Sequence, residues 1–343
     1  MGKIVIRTPN HLGDCLMALP AVESLARERP DIEIALLVPQ WAEMIYHQVK
    51  TARYIPLSGD QLHGLRAISV QTPLLRRERF EHGLLFTPSF SSALIFFRGR
   101  VRERYGYTGE GRAFLLNHPL DYSASKIIHR SLRYLHLIEY FLDKKLSLTA
   151  PALKLSPFDK ANADKIFKDF KIDPRLPVIA MAPQAVAESR RWGVQNYSAL
   201  ADRLVRRYDG QIILLGTKAE SSAGAEIVRN NRRIFNLCGH SDIGTAAALL
   251  ARALLFVGND SGPAHLAAAV GIPLVVLSGA DNPTETSPLS DKKTVIIKDH
   301  LSCISCVKNR CPKSGDNFML CMKEITVDEV FAASQKILEQ SLK

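Results

Sequence analysis

Short apolar runs and amphipathic stretches take turns along almost the whole chain. "KIVIR" at 3–7, "EIALLVP" at 33–39, "RYIPL" at 53–57 and "HGLLF" at 82–86 predict strands. "LMALPAVESLARER", "WAEMIYHQV" and "SFSSALIFF" between and after them predict helices. From residue 150 the texture changes. "APALKLSPFDKANADKIFKDFKIDPRLP" carries four prolines and reads as a linker with one helix. The alternation then restarts, with strands at "VIAMAP", "QIILLG", "IFNLCG", "LLFVG" and "PLVVLSG" and helices between them. Strands alternating with helices predict parallel sheets covered on their faces. The fold class is therefore α/β: two doubly wound, Rossmann-like domains facing a cleft. The expected boundaries are 1–150, a linker 151–176, a second domain 177–322 and a terminal helix in 323–343 that begins at the N-cap Thr326. In such sheets ligands bind outside the carboxyl ends of the strands.

Composition narrows the class. The 343 residues suffice for two cores. Apolar residues make up 46% and charged residues 23%, an ordinary globular mix. Runs such as "IPLVVL" are far too short to cross a bilayer. The start of the chain is strand-like, without a charged segment and a long apolar one, so a cytoplasmic protein is expected. The formal charge of +11 favours anionic partners. Arg98, Arg100, Arg102 and Arg104 alternate, so in an extended strand they would share one face. A solvated edge strand explains the same pattern.

The motifs with chemistry sit at predicted strand ends. "TPNHLGD", residues 8–14, follows the first strand and opens a helix. Asp14 there is either a helix cap or a working carboxylate in a ligand cleft. "VGNDSGPAH", residues 257–265, ends a buried strand at Gly258 and starts a helix, with Pro263 suited to the first turn. The backbone N–H groups of Ser261 to Ala264 are expected to make an anion site. His265 can add a donor, and Asp260 can accept from sugar hydroxyls. In "MAPQAVAESRRWG", Arg190 and Arg191 suit a diphosphate. Glu220 lies past a strand end, where an acidic residue can bind ribose. Neither a G-x-G-x-x-G after the first strand nor a G-x-x-x-x-G-K-[ST] occurs, which disfavours a nicotinamide enzyme or a P-loop kinase. Cys303, Cys306, Cys311 and Cys321 form C-x2-C-x4-C-x9-C. Clustered cysteines in a cytoplasmic chain suggest a metal more than disulfides, and a structural zinc competes with reduced thiols in a packed loop.

"TPNHLGDCLMALPAV", "RRW" with its following helix, and "NDSGPAHLAAAVGIPLV" together resemble glycosyltransferase family 9, the bacterial lipopolysaccharide heptosyltransferases. "SFSSALIFFRGRVRERYGYTGEGRAFLLN" is similar to the type that adds heptose to heptose. The resemblance implies the two-domain glycosyltransferase B fold, an ADP-heptose donor on the second domain and an anionic lipopolysaccharide inner-core acceptor. It implies inverting transfer, with no cofactor required for the chemistry and a peripheral location at the inner membrane surface. Asp14 becomes the candidate base, and Arg190 the group that stabilises the leaving diphosphate. Ser261, Gly262, Pro263 and His265 become the donor diphosphate site, Asp260 a sugar contact and Glu220 a ribose contact. Acceptor contacts are expected at Asn10, Arg102 and Arg104. Relatives usually carry lysine where this chain has Arg190, and glycine where it has Gln184. The other readings are a related glycosyltransferase with a different donor or acceptor, and a basic nucleic-acid-binding protein. The second lacks any recognisable module, so no nucleic-acid partner is expected.

Overall fold

The computed structural model describes residues 2–123, 128–229 and 231–341. Met1, residues 124–127, Asn230, Leu342 and Lys343, which fall inside the expected segments 1–150, 177–322 and 323–343, lie outside the described residues. The chain divides into two compact units, one through Pro151 and one from Ala152. Among the described residues each contains one sheet of six strands, and the pairings are parallel throughout.

The first unit contains β1 (Lys3–Arg7), β2 (Glu33–Pro39), β3 (Ala52–Leu57), β4 (His82–Leu85), β5 (Glu103–Tyr107) and β6 (His118–Leu120). Their order is β3-β2-β1-β4-β5-β6. The second contains β7 (Val178–Ala182), β8 (Gln211–Leu214), β9 (Ile234–Asn236), β10 (Leu255–Asn259), β11 (Leu274–Leu277) and β12 (Lys293–Ile296). Their order is β12-β11-β10-β7-β8-β9. The two orders follow one rule. The chain steps outward for three strands, then returns to the other side of its first strand and steps outward again. The reversals fall between β1 and β4 and between β7 and β10, and each is a place where the loops leaving adjacent strands diverge.

Central strands such as "IVIR" in β1 and "LFVGN" in β10 are buried at every position, as covering on both faces requires. The helices Gly64–Glu78 and Phe90–Arg98 pack side by side and close the first unit's core through Ala67, Leu75, Ala93, Ile95 and Phe96. Gly83 lets the second of them sit close to the sheet. A Cβ there would stand 2.5 Å from the Phe96 ring and 2.8 Å from Val101.

Two elements differ from the sequence reading, and a third starts where expected but packs into the second unit. The stretch read as the linker 151–176 belongs to the second unit. Its helix Pro157–Asp169 is capped by Ser156 and packs on the helix Ile243–Leu250. The terminal helix Val327–Ser341 begins at Thr326, which closes a capping box with Glu329. It buries Val330, Phe331 and Leu338 in the second unit's core. The helix Gly64–Glu78 has no counterpart in the reading, because Pro73 in its interior removes a backbone donor and obscures the helical signal. Among the described residues, no helix is long and apolar enough to cross a membrane.

Gly83→Ala should therefore destabilise the first unit by ~1–3 kcal/mol, the usual result of overfilling a packed core. The urea midpoint of the purified protein should fall. An unchanged midpoint would show that the Phe96 ring can move aside freely.

Candidate active site

The loops that leave β1 and β4 at their reversal open onto a cavity of about 340 Å³ in the first unit. Asp14 lines it. The N-cap of the helix Leu12–Glu28 is His11, and Asp14 stands in the first turn, so Asp14 is not the cap. Instead its Oδ1 accepts a hydrogen bond from Arg130 Nη1 at 2.9 Å. Asp14 is 16% exposed and Arg130 35%. The pair is partly wet, and one carboxylate edge faces a positioned cation.

Two further arginines line this cavity from a buried position. Arg7 is the last residue of β1. Its guanidinium donates to Thr8 O at 2.7 Å and to Asn10 Oδ1 at 2.6 Å. Asn10 thus lines the cavity and holds an arginine there. Arg112 donates to Tyr107 O at 2.8 Å, to Thr87 O at 2.7 Å and to Ser89 O at 3.2 Å. Burial lowers the pKa of each guanidinium to about 10, so both remain charged at neutral pH. Arg133 adds a fourth guanidinium, which donates to Tyr122 Oη at 3.1 Å. Tyr134 stacks on Phe86 with ring centroids 5.0 Å apart. Burial, with Asp14 nearby, pushes its phenol well above the usual range, so it stays neutral.

In the second unit the reversal between β7 and β10 is fastened by one buried side chain. Asn259 Oδ1 accepts from Trp192 N at 3.2 Å and from Tyr197 Oη at 3.1 Å, and its Nδ2 donates to Pro183 O at 3.1 Å. The strand therefore runs to Asn259, one residue past the expected end at Gly258. Ser261 is the N-cap of the helix Gly262–Ala269, and its hydroxyl donates to Asn259 O at 3.3 Å. Of the amides expected at the anion site, Pro263 has no N–H and Ala264 donates to Ser261 O at 3.0 Å. Among the described residues, no backbone bond outside the helices and strands is made by the amides of Ser261 and Gly262. Asp260 and His265 are both buried, and His265 Nε2 lies 4.0 Å from Asp260 Oδ1.

Arg190 closes a short turn, Glu188–Arg190, in the loop after β7. Its Nη2 lies 2.6 Å from Oδ1 of the buried Asp281, a partner that the motif did not suggest. Arg191 Nε donates to Ala185 O at 2.8 Å. Glu220 closes a capping box: its Oε2 accepts from Thr217 N at 2.6 Å, so one carboxylate oxygen is committed to the backbone.

The cysteine-bearing segment braces the Arg190 loop. Ser189 N donates to Asn309 O at 3.2 Å, and the Ser189 hydroxyl donates to Lys308 O. Ser305 N donates to Gly279 O at 3.0 Å and Val307 N to Ala280 O at 2.7 Å, just before Asp281. Cys321 has its pKa raised by burial first and then by Cys303, Cys306 and Cys311, so the four thiols share one neighbourhood. Cys303, Cys306, Cys311 and Cys321 are the residues at which a structural zinc is expected. Among the described residues, no group of three or more His, Cys, Asp or Glu side chains is arranged to hold a metal ion. Cys311 Sγ accepts Met319 N at 3.3 Å.

Arg102 and Arg104, expected as acceptor contacts, are not among the residues that line this cavity. Both lie at the amino end of β5, whereas the cavity is reached at its carboxyl end, by Tyr107. A strand of this length separates the two ends by roughly 13 Å. Arg104 spends its guanidinium on Leu115 O and Val101 O, both at 2.7 Å. The side chain of Arg102 is 82% exposed. The alternation did not form one strand face, because Arg98 ends a helix and Arg100 takes a left-handed turn conformation. The cavity's own arginines were missed. Arg7 could have been found by the strand-end rule that found Asp14. Arg130 and Arg133 stand one turn apart at the start of the helix Arg130–Leu142, but only the fold brings them to Asp14.

Comparison with known proteins agrees with this architecture. Residues 72–315 match the family described as glycosyltransferase family 9 (heptosyltransferase). Lipopolysaccharide heptosyltransferase 2 of Salmonella typhimurium is 31% identical over 314 residues, which cover 86% of this chain and 87% of that protein. The enzyme of the same name from Escherichia coli is 30% identical over 86% of this chain and 87% of that protein. The solved structure of E. coli ADP-heptose lps heptosyltransferase II superposes with a TM-score of 0.81 at 26% identity, covering 99% of this chain and all of that one. With a family match across most of its length, two parallel sheets of one topology and relatives of this similarity, the chain belongs to glycosyltransferase family 9, the heptosyltransferases, and has the glycosyltransferase B fold.

Proposed function

We propose that this heptosyltransferase moves a heptose from ADP-heptose to a heptose of the lipopolysaccharide inner core, in one inverting displacement. The protein would work in the cytoplasm, against the inner membrane. The observation that carries the reading is the first unit's cavity. It combines one held carboxylate, Asp14, with a surround of four arginines, as an anionic sugar acceptor needs. Asp14 accepts the proton of the acceptor hydroxyl while that oxygen attacks the anomeric carbon. Arg130 fixes the rotamer of the carboxylate through Oδ1 and leaves Oδ2 for the substrate. Arg7, Arg112 and Arg133 supply a positive potential that favours an acidic core sugar.

The donor binds the second unit. Its diphosphate takes the amides of Ser261 and Gly262 at a helix start, where the dipole favours negative charge. Arg190, held by Asp281, stabilises the charge that develops as ADP leaves. Asp260 and His265 meet the transferred sugar and the phosphates. Glu220 keeps one oxygen for the ribose. No metal or other cofactor is needed in this scheme, because the diphosphate leaves as a stabilised anion.

Three measurements test it. ADP-heptose, and ADP more weakly, should raise the melting temperature, by an amount equivalent to ~2–4 kcal/mol at saturation. Equal stabilisation by UDP-sugars would remove the adenine assignment. Asp14→Asn should lower kcat by roughly 10²- to 10⁴-fold and leave the melting temperature unchanged, since His11 is the N-cap. A variant that keeps most of its activity would take the base role away from Asp14. Arg130→Met should lower kcat about tenfold with the donor KM unmoved, and Arg130→Lys should recover part of it, because a cation still faces Oδ1. A loss confined to the acceptor KM would instead make Arg130 an acceptor contact.

A further inference from the structure

The helix Phe90–Arg98 is apolar on more than the face it buries. Ser92, Ala93, Ile95 and Phe96 are buried. Phe90, Leu94 and Phe97, spaced i, i+4 and i+7, form a second stripe. Phe90 is 38% exposed, Phe97 50%, and the neighbouring Phe114 75%. The rings of Phe90 and Phe114 lie 6.2 Å apart, and the guanidinium of Arg104 sits 5.4 Å over Phe97. Arginines border the far end of this stripe. Arg98, Arg100 and Arg102 are exposed there, and Arg76 Nε donates to Arg98 O at 2.8 Å, which joins Arg76 to the group. The carboxylates near it are engaged. Glu110 accepts from Phe90 N at 3.0 Å, and Glu103 accepts from His118 at 2.9 Å while its other oxygen lies 3.9 Å from Arg102, which leaves Arg98 and Arg100 without a carboxylate pair among the described residues. The near end of the stripe is the rim of the cavity, since Ser89, Ser91, Ser92 and Ile95 line that cavity.

We infer that this surface, Phe90, Phe97 and Phe114 with Arg98, Arg100 and Arg102, docks the first unit on an anionic lipid bilayer. Exposed aromatics beside arginines are the composition that binds the headgroup region, with the rings among the acyl ends and the guanidinium groups on phosphates. A protein partner would match the rings as well. The cluster of arginines with their nearby carboxylates already engaged favours a uniformly anionic surface. Continuity with the cavity rim gives the contact a purpose. A lipid-anchored acceptor would present its sugars at headgroup height, beside the start of the helix. The purpose rests on the acceptor proposed above, but the test does not.

Flotation of the full chain with acceptor-free vesicles decides it. The protein should float with vesicles of phosphatidylglycerol and phosphatidylethanolamine and stay behind with pure phosphatidylcholine. Phe97→Ser with Phe114→Ser, and separately Arg98→Gln with Arg100→Gln, should each cut binding by roughly tenfold or more. All four positions are exposed, so both variants should fold and keep the parent's melting temperature. Both should also keep transfer to a water-soluble, delipidated acceptor. Loss of that transfer with vesicle binding intact would count against the acceptor reading alone. No flotation by the parent, or equal flotation by both variants, would overturn the docking surface. So would a dimer of the parent that the phenylalanine changes dissolve without any change in vesicle binding.

Discussion

A parallel strand covered on both faces can offer chemistry only where it stops. Its sides are taken by neighbouring strands, and its faces by helices. Both units obey that constraint with the same winding, and the consequence is a single kind of place for a site. Where β4 returns beside β1, the loops after them diverge, and Arg7, Asn10, Asp14 and Ser89 gather there. Where β10 returns beside β7, the corresponding loops carry Arg190 and the Ser261 helix start. The second reversal would splay without a fastener, since the loop after β7 is long. Asn259 supplies it, with two acceptor bonds and one donor bond spanning both loops from a fully buried position. Removing that amide would leave buried partners unsatisfied, at ~1–3 kcal/mol each.

The two reversals differ in how they treat charge. In the second unit Arg190 faces Asp281, and His265 Nε2 lies 4.0 Å from Asp260 Oδ1, so each of these buried carboxylates has a nitrogen-bearing side chain beside it. In the first, Arg7 and Arg112 are buried against neutral carbonyls and an amide. Burial costs each of them enough to bring its pKa down to about 10. An apolar residue would hold the loops more cheaply if holding were all that was needed. Glu110 offsets part of the Arg112 charge, and the remainder is physically useful if something negative enters the cavity. Asp14 is the one carboxylate among the cavity's lining residues, and it is already met by Arg130.

Much of this was legible in the sequence, and the limits have physical causes. The strand–helix alternation implied both sheets, because doubly covered strands read as continuous apolar runs. Asp14 and the Ser261 helix start could be singled out because motif and strand end coincide. Arg102 and Arg104 misled, because alternation shows which face a residue takes but not which end of the strand meets the ligand. Arg130 lies 116 residues from Asp14, and no local pattern links them. Arg190 was found, but Asp281 was not, since its pairing joins the loops after β7 and β11, which β10 separates in the sheet. Phe97 reads as core in a helix this apolar, and only the fold shows that its face is left open.

The cysteine segment also has a bracing role that its spacing did not suggest. Its regularity suggested a ligand set, yet what the segment does geometrically is to reach two stretches at once. Ser305 and Val307 both adopt left-handed conformations, at φ of 57° and 55°. For a β-branched valine that is an unfavourable state, which persists only where the surroundings fix it. Here the return is specific. Those two amides bond Gly279 O and Ala280 O, while Lys308 and Asn309 hold Ser189. Asp281 follows the first pair of contacts and Arg190 follows the second. A strained turn thus sets the two backbones from which the Arg190–Asp281 pair is built.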